Sequence, residues 1–144
     1  MFFAYIMTTK YYIDTSVWID LYEDRKGYNG EELGNFALKL FSLIKAKQNK
    51  LIITDLLIRE LEINYSMPEI NGMTKPFDKI IKKIIATSEQ RDEAKKTAKE
   101  RNIPPGDVLH AIIARDNFLI LITRDRHFRQ LEDICPYYKP EDII

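Results

Sequence analysis

The stretch Tyr11 to Asp20 (YYIDTSVWID) places the tightest constraint on what this chain can fold into. Tyr11, Tyr12 and Ile13 form a short apolar run with the character of a buried strand. The run stops at Asp14, and Thr15 and Ser16 follow as good helix N-cap residues. Val17, Trp18, Ile19 and Leu21 then set a helical pattern. Strand, acid, cap, helix is the order of an α/β unit, with one carboxylate at the carboxyl end of a strand. In open α/β sheets ligands bind at that end. The same arrangement is therefore sought around three other acids, Glu60, Asp107 and Asp125.

The rest of the chain supplies the elements such a sheet needs. Residues 31–48 carry Leu33, Phe36, Ala37, Leu40, Phe41 and Ile44 at amphipathic-helix spacing. Leu51-Ile52-Ile53 is a second strand, with Thr54 capping the helix after it. In that helix Leu56, Leu57, Leu61, Ile63 and Tyr65 spread over one broad arc that also contains Glu60. An inward Glu60 needs a cation, a metal or a proton, because a buried unpartnered carboxylate is costly. A Glu60 at the edge of the face reaches solvent along its stem instead, and periodicity leaves both readings open.

Asn64 to Phe77, with Pro68, Gly72 and Pro76, is expected to be an irregular connection. Lys79 to Thr87 is expected to run from a short helix into a third strand at Ile84-Ile85-Ala86. Ser88 is expected to cap a solvated outer helix reaching about Arg101. Ile103-Pro104-Pro105-Gly106 breaks the chain before Asp107, and Val108 to Arg115 is apolar nearly all round, hence a buried helix. Phe118 to Ile122 is a continuous buried strand ending at Thr123-Arg124-Asp125. The helix travels roughly 13 Å and the strand returns roughly 16 Å, which brings Asp125 back near the level of Asp107. Arg126 to Ile144 suggests one helical turn and an edge strand near Tyr137.

Several carboxylates in one mouth repel unless a cation is present or protons are retained. Oxygen-only ligation suits Mg²⁺ or Mn²⁺, whereas Zn²⁺ favours His or Cys. Carboxylate-bound divalent ions activate water and offset charge in phosphodiester hydrolysis. For any single Asp, a helix or turn cap is the simpler role; a shared sheet end argues against that for all of them. His110, one helical turn after Asp107, is a candidate ligand, set against the simpler roles of a packed histidine or one that supports a ligand. Arg124, Arg126 and His127 are candidate phosphate contacts. Trp18 is expected in the core, and Cys135 has no catalytic partner in sequence.

Composition narrows the class. With 144 residues the chain is long enough for one domain, and 45% hydrophobic with 31% charged residues is ordinary globular usage. Formal net charge is zero, so nucleic-acid binding must rest on a local basic patch. The single cysteine, Cys135, excludes an intrachain disulfide and fits a reduced, cytoplasmic setting. Residues 1–6 are too short for a signal-peptide core or a membrane span. They are read as an extension ahead of a natural start at Met7, leaving a single domain over residues 1–144.

IDTSVWID, Thr54 with Glu60-Leu61, Asp107-Val-Leu-His-Ala and Ile122-Thr-Arg-Asp-Arg-His-Phe128 together resemble the PIN-domain ribonucleases, in the branch that holds VapC-type toxins. The resemblance runs from about Lys10 to Ile144. It implies an α/β/α sandwich with a central parallel sheet and an acidic Mg²⁺ or Mn²⁺ pocket. Asp14, Glu60, Asp107 and Asp125 would be the catalytic, metal-binding acids, with Ser16 and Thr123 orienting a carboxylate or a water. The activity implied is hydrolysis of single-stranded or structured RNA, leaving a 5′-phosphate and a 3′-hydroxyl, as a toxin or as an RNA-processing enzyme. An antitoxin protein and a homodimer are the partners it implies, and a membrane is not among them. Two other readings compete. A PIN-like scaffold would bind RNA or a protein without cleaving, but would have no reason to keep all four acids. A phosphatase of the haloacid dehalogenase type would want a second Asp two residues after Asp14, where this chain has Ser16.

Overall fold

The runs Tyr11-Tyr12-Ile13, Leu51-Ile52-Ile53 and Ile120-Leu121-Ile122 are apolar on both faces, which requires cover on both sides of the sheet. The computed structural model, which describes residues 8–144, satisfies that requirement with three layers. The expected start at Met7 lies outside the described residues. The elements follow in the order β1 (Lys10–Ile13), α1 (Thr15–Glu23), α2 (Leu33–Ala46), β2 (Lys50–Thr54), α3 (Asp55–Leu61) and α4 (Met67–Thr74). A 3₁₀ turn (Lys75–Ile80) leads into β3 (Ile81–Ile84), α5 (Ser88–Arg101), α6 (Pro105–Asp116) and β4 (Ile120–Ile122). A second 3₁₀ segment (Arg126–Leu131), β5 (Tyr137–Tyr138) and α7 (Pro140–Ile143) complete it.

The five strands lie in the order β3-β2-β1-β4-β5, and every pairing is parallel. Register puts Tyr12 beside Ile52 on one side and Leu121 on the other. Side chains then alternate. Tyr12, Ile52 and Leu121 enter the core beneath α5 and α6, with Ala94, Ala98, Ile112 and Phe128. Tyr11, Ile13, Leu51, Ile53 and Ile122 face α1 and α2, with Trp18, Leu40 and Phe41. Trp18 is a core residue, edge-on to Phe41 with ring centroids 4.6 Å apart. The strand order runs one way from β1 through β2 to β3 and the other way through β4. That reversal opens a crevice outside the carboxyl ends of β1 and β4.

Four local expectations need correction. Asn64 to Phe77 is not irregular: Ser66 and Glu69 form a capping box that starts α4, and Pro68 sits in its first turn. Proline is tolerated there because that N–H has no helical partner in any case. The third strand is Ile81–Ile84 rather than Ile84 to Ala86, since it pairs Leu51↔Ile81 through Thr54↔Ile84. Thr87, not Ser88, caps α5, with Gln90 closing the box. The fourth strand starts at Ile120; Phe118 precedes it at φ 55° and is 90% exposed.

Candidate metal centre

Asp14 closes β1 against β4, its N–H donating to the Ile122 carbonyl at 2.9 Å. Its own carboxylate is the cap of α1, where Thr15 and Ser16 were expected to serve: Oδ1 accepts from the Thr15 N–H at 2.8 Å. Oδ2 accepts from the hydroxyls of Thr123 (2.9 Å) and Ser16 (3.2 Å). Thr123 is fully buried, and its Oγ1 also accepts from the Asp125 N–H at 3.0 Å. One hydroxyl just past β4 thus fixes two acids from two strands.

Asp107 enters from the first turn of α6, where free helix N–H groups favour negative charge. Its carboxyl is nonetheless pushed up to about 6, first by burial, then by the charges of Asp125 and Asp14, with His110 and His127 opposing. Glu60 arrives from the last turn of α3. It accepts from the Thr15 hydroxyl at 2.6 Å and from His110 Nε2 at 2.7 Å. Burial raises its pKa, but these bonds and the His110 charge hold it below the usual glutamate value. Its edge and inward readings merge: the carboxylate is about one-quarter exposed and bonded inward. Gly106 makes room for it, since a Cβ there would lie 3.3 Å from Glu60 Oε2.

His110 is fully buried, and its Nε2 is 3.8 Å from Asp14 Oδ1. Burial disfavours its charged form, but Glu60, Asp14 and Asp107 outweigh that and raise its pKa. His127 is more exposed, with Nδ1 2.9 Å from Asp125 Oδ1 and 3.6 Å from Asp107 Oδ2. Two groups of side chains have the spacing to hold an ion, Asp14–Glu60–His110 and Asp107–Asp125–His127, the candidate ligand atoms within each group lying within 4.8 Å of one another. Asp107 couples them through its repulsion with both Asp14 and Asp125. The donor set is mostly hard oxygen and short of compensating positive charge, which fits a hard divalent cation.

Of the candidate phosphate contacts, Arg126 is exposed and His127 lies at the acid edge. Arg124 is engaged within the protein. It pairs with Glu141 at 2.8 Å and approaches buried Asp20 at 3.5 Å, with its guanidinium over the Phe36 ring. It ties the β4 loop to α1, α2 and α7. Thr15 and Tyr12 were not singled out by sequence reasoning. Thr15 carried a signal, being adjacent to Asp14 at a helix start; the contact of Tyr12 with His110 had none. The broad groove beside β3, lined by Ile58, Met67, Ile70 and Ile81, contains none of the four acids.

A sequence profile of the PIN domain matches residues 11–134. The chain belongs to the PIN domain family. That family consists in general of nucleases. No curated protein matches this PIN domain by sequence. Its fold is shared with VapBC2 from Rickettsia felis, solved bound to a DNA fragment from its promoter, at TM-score 0.63 and 16% identity over 91% of this chain and 97% of that one. PAE2754 from Pyrobaculum aerophilum is similar at TM-score 0.59 and 19% identity, covering 99% of this chain and 92% of its own. A toxin–antitoxin complex from Klebsiella pneumoniae gives TM-score 0.63 and 17% identity over 90% and 97%. This PIN domain has no helix among its described residues long and apolar enough to cross a membrane.

Proposed function

We propose that this PIN domain is a divalent-metal-dependent endoribonuclease acting on single-stranded or structured RNA. The observation that supports the reading is a pair of ligand-atom groups, Asp14–Glu60–His110 and Asp107–Asp125–His127, linked by the charges of Asp14 and Asp125 on Asp107, beside the crevice where the strand order reverses. Asp14, Glu60, Asp107 and Asp125 would hold Mg²⁺ or Mn²⁺. The bound ion supplies a lowered water pKa and offsets charge at the phosphate. Thr123 and Ser16 keep the Asp14 carboxylate aimed, and the Thr123 hydroxyl sets the backbone that presents Asp125. Arg126 and His127, at the exposed rim, meet the flanking phosphate backbone.

A toxin role, with an antitoxin protein as partner in the cytoplasm, is the biological setting favoured by likeness to two toxin–antitoxin structures. A homodimer accompanies that role. The test is cleavage of a mixed single-stranded RNA pool by the purified chain, with Mn²⁺, with EDTA, and with Asp14→Asn. Cleavage is expected only with metal and intact Asp14, and Asp14→Asn is expected to lower it by at least about a hundredfold. A folded Asp14→Asn protein with undiminished cleavage would refute the reading. Neither cleavage nor metal binding by the wild type would favour a non-catalytic scaffold.

A further inference from the structure

Glu60 is not held by its own backbone. It projects on a long side chain from the last turn of α3, a helix of seven residues. Asp14 and Asp125 are short, and each caps the segment that follows it. A buried chain of polar contacts supplies what Glu60 lacks. At the far end of α3, the Thr54 Oγ1 caps the helix by accepting from the Leu57 N–H at 3.0 Å. The same Oγ1 lies 2.7 Å from the Tyr12 hydroxyl on β1, and that hydroxyl lies 2.5 Å from His110 Nδ1 on α6. His110 Nε2 then meets Glu60 Oε1 at 2.7 Å. Tyr12, Thr54 and His110 are each no more than 1% exposed, so no water competes for these contacts.

Chemistry fixes the sense of the chain at its Glu60 end. An ionised carboxylate only accepts, so His110 Nε2 carries a hydrogen and donates to Glu60. In the neutral ring Nδ1 accepts from the Tyr12 O–H and the Tyr12 oxygen accepts from Thr54. In the charged ring, which the carboxylates favour, Nδ1–H donates to the Tyr12 oxygen and the Tyr12 O–H donates to Thr54, with the same contacts kept. A histidine with both nitrogens engaged has one ring orientation, and a carboxylate held by such a ring has few rotamers left. The arrangement joins the two ends of α3 through the sheet and the opposite helical layer.

We infer that Tyr12 and Thr54, acting through His110, are positioning residues that hold Glu60 in the geometry a divalent ion requires. The inference rests on the metal-centre reading proposed above. Tyr12 lies in the core between β2 and β4, its ring 5.2 Å from the His110 ring, and its hydroxyl bonds to Thr54 and His110 and to none of the four acids. Its hydroxyl makes it part of the site.

The test is Mn²⁺ titration by calorimetry on the full chain, without RNA, alongside thermal unfolding. Tyr12→Phe keeps the ring and removes only the hydroxyl. It is expected to weaken Mn²⁺ binding about tenfold, the usual effect of losing a residue that orients a metal ligand. Glu60→Gln is expected to weaken binding at least as much. The double variant Tyr12→Phe/Glu60→Gln should bind no worse than Glu60→Gln alone, because Tyr12 acts only through Glu60. A purely packing role would leave the two losses independent. His110→Gln, whose amide N–H can replace Nε2–H, should retain more affinity than His110→Leu. That comparison holds where Tyr12→Phe fails to fold. Equal Mn²⁺ binding by wild type and folded Tyr12→Phe would overturn the inference alone, as would fully multiplicative losses or equal binding by the two His110 variants. A wild-type chain that binds no Mn²⁺ would overturn the metal reading and this inference together.

Discussion

Asp107 is held by opposing forces whose balance is readable as a pH dependence. The helix start favours its charge, while burial and two neighbouring carboxylates disfavour it, and the latter win, leaving it at about 6. An unfolded aspartate titrates near 4. The folded carboxyl therefore holds its proton more tightly than the unfolded one. For the metal-free protein its contribution to stability is fully present below about pH 4 and is lost as pH rises through about 6, by about 3 kcal/mol at most. A divalent ion needs the ionised form, so its stabilising effect has the opposite trend. Thermal unfolding with and without Mn²⁺ should show a small metal-induced rise in Tm at pH 5 and a full one at pH 7.5. Asp107→Asn should flatten the Asp107 part of the metal-free profile. Glu60 works in the reverse sense, since its folded pKa is lowered; its contribution is lost as pH falls through that value. Asp107 was legible in the sequence because a Pro-Pro-Gly break directly precedes it. Thr15 and His110 were partly legible, through adjacency and i+3 spacing, whereas the Tyr12–His110 contact spans 98 positions and left no local trace.

At the level of elements, local sequence failed where an apolar run was not the deciding quantity. β3 reads Ile-Lys-Lys-Ile, with both lysines exposed, because it lies at the sheet edge. Lysines on an edge strand discourage pairing with another chain. The adjoining Ile84-Ile85-Ala86 run looked more strand-like, yet Ile85 is 75% exposed. α4 was hidden by Pro68 and Gly72, although the Ser66–Glu69 spacing of its capping box was present in the sequence. The central strands and α6 were plain, since elements buried on both sides carry continuous apolar runs. Phe118 offers a test of local strain. It takes a left-handed backbone conformation at φ 55° with its ring almost wholly in solvent. A side chain with a Cβ costs about 1 kcal/mol there, and this one recovers little by packing. Phe118→Gly should raise stability by about 0.5–1 kcal/mol in a denaturant titration, without altering cleavage. Unchanged or lowered stability would show that the turn is not strained by its side chain.

Across the whole molecule, the candidate site depends on the C-terminal segment being drawn back to the crevice. Asp20 on α1 is a fully buried carboxylate; burial raises its pKa, and Arg25 and Arg124 counter that. Arg124 also holds Glu141 at the start of α7, which packs against α2. One guanidinium between Thr123 and Asp125 thus joins three elements to the loop that presents an acid. This role separates it from its neighbour Arg126, which is exposed. Arg124→Met should lower stability by about 2 kcal/mol, less than the loss of a sole partner, because Arg25 still pairs with Asp20 at 2.8 Å. It should leave the salt dependence of RNA binding unchanged. Arg126→Gln should leave the melting temperature unchanged and reduce the salt slope by about one. Binding titrations at several salt concentrations, with unfolding curves for both variants, distinguish the two arginines. A reduced salt slope in folded Arg124→Met would return Arg124 to the RNA-contacting set. It would also mean that the Glu141 pair opens when RNA binds, because one guanidinium fork cannot hold that carboxylate and a phosphate in the same geometry.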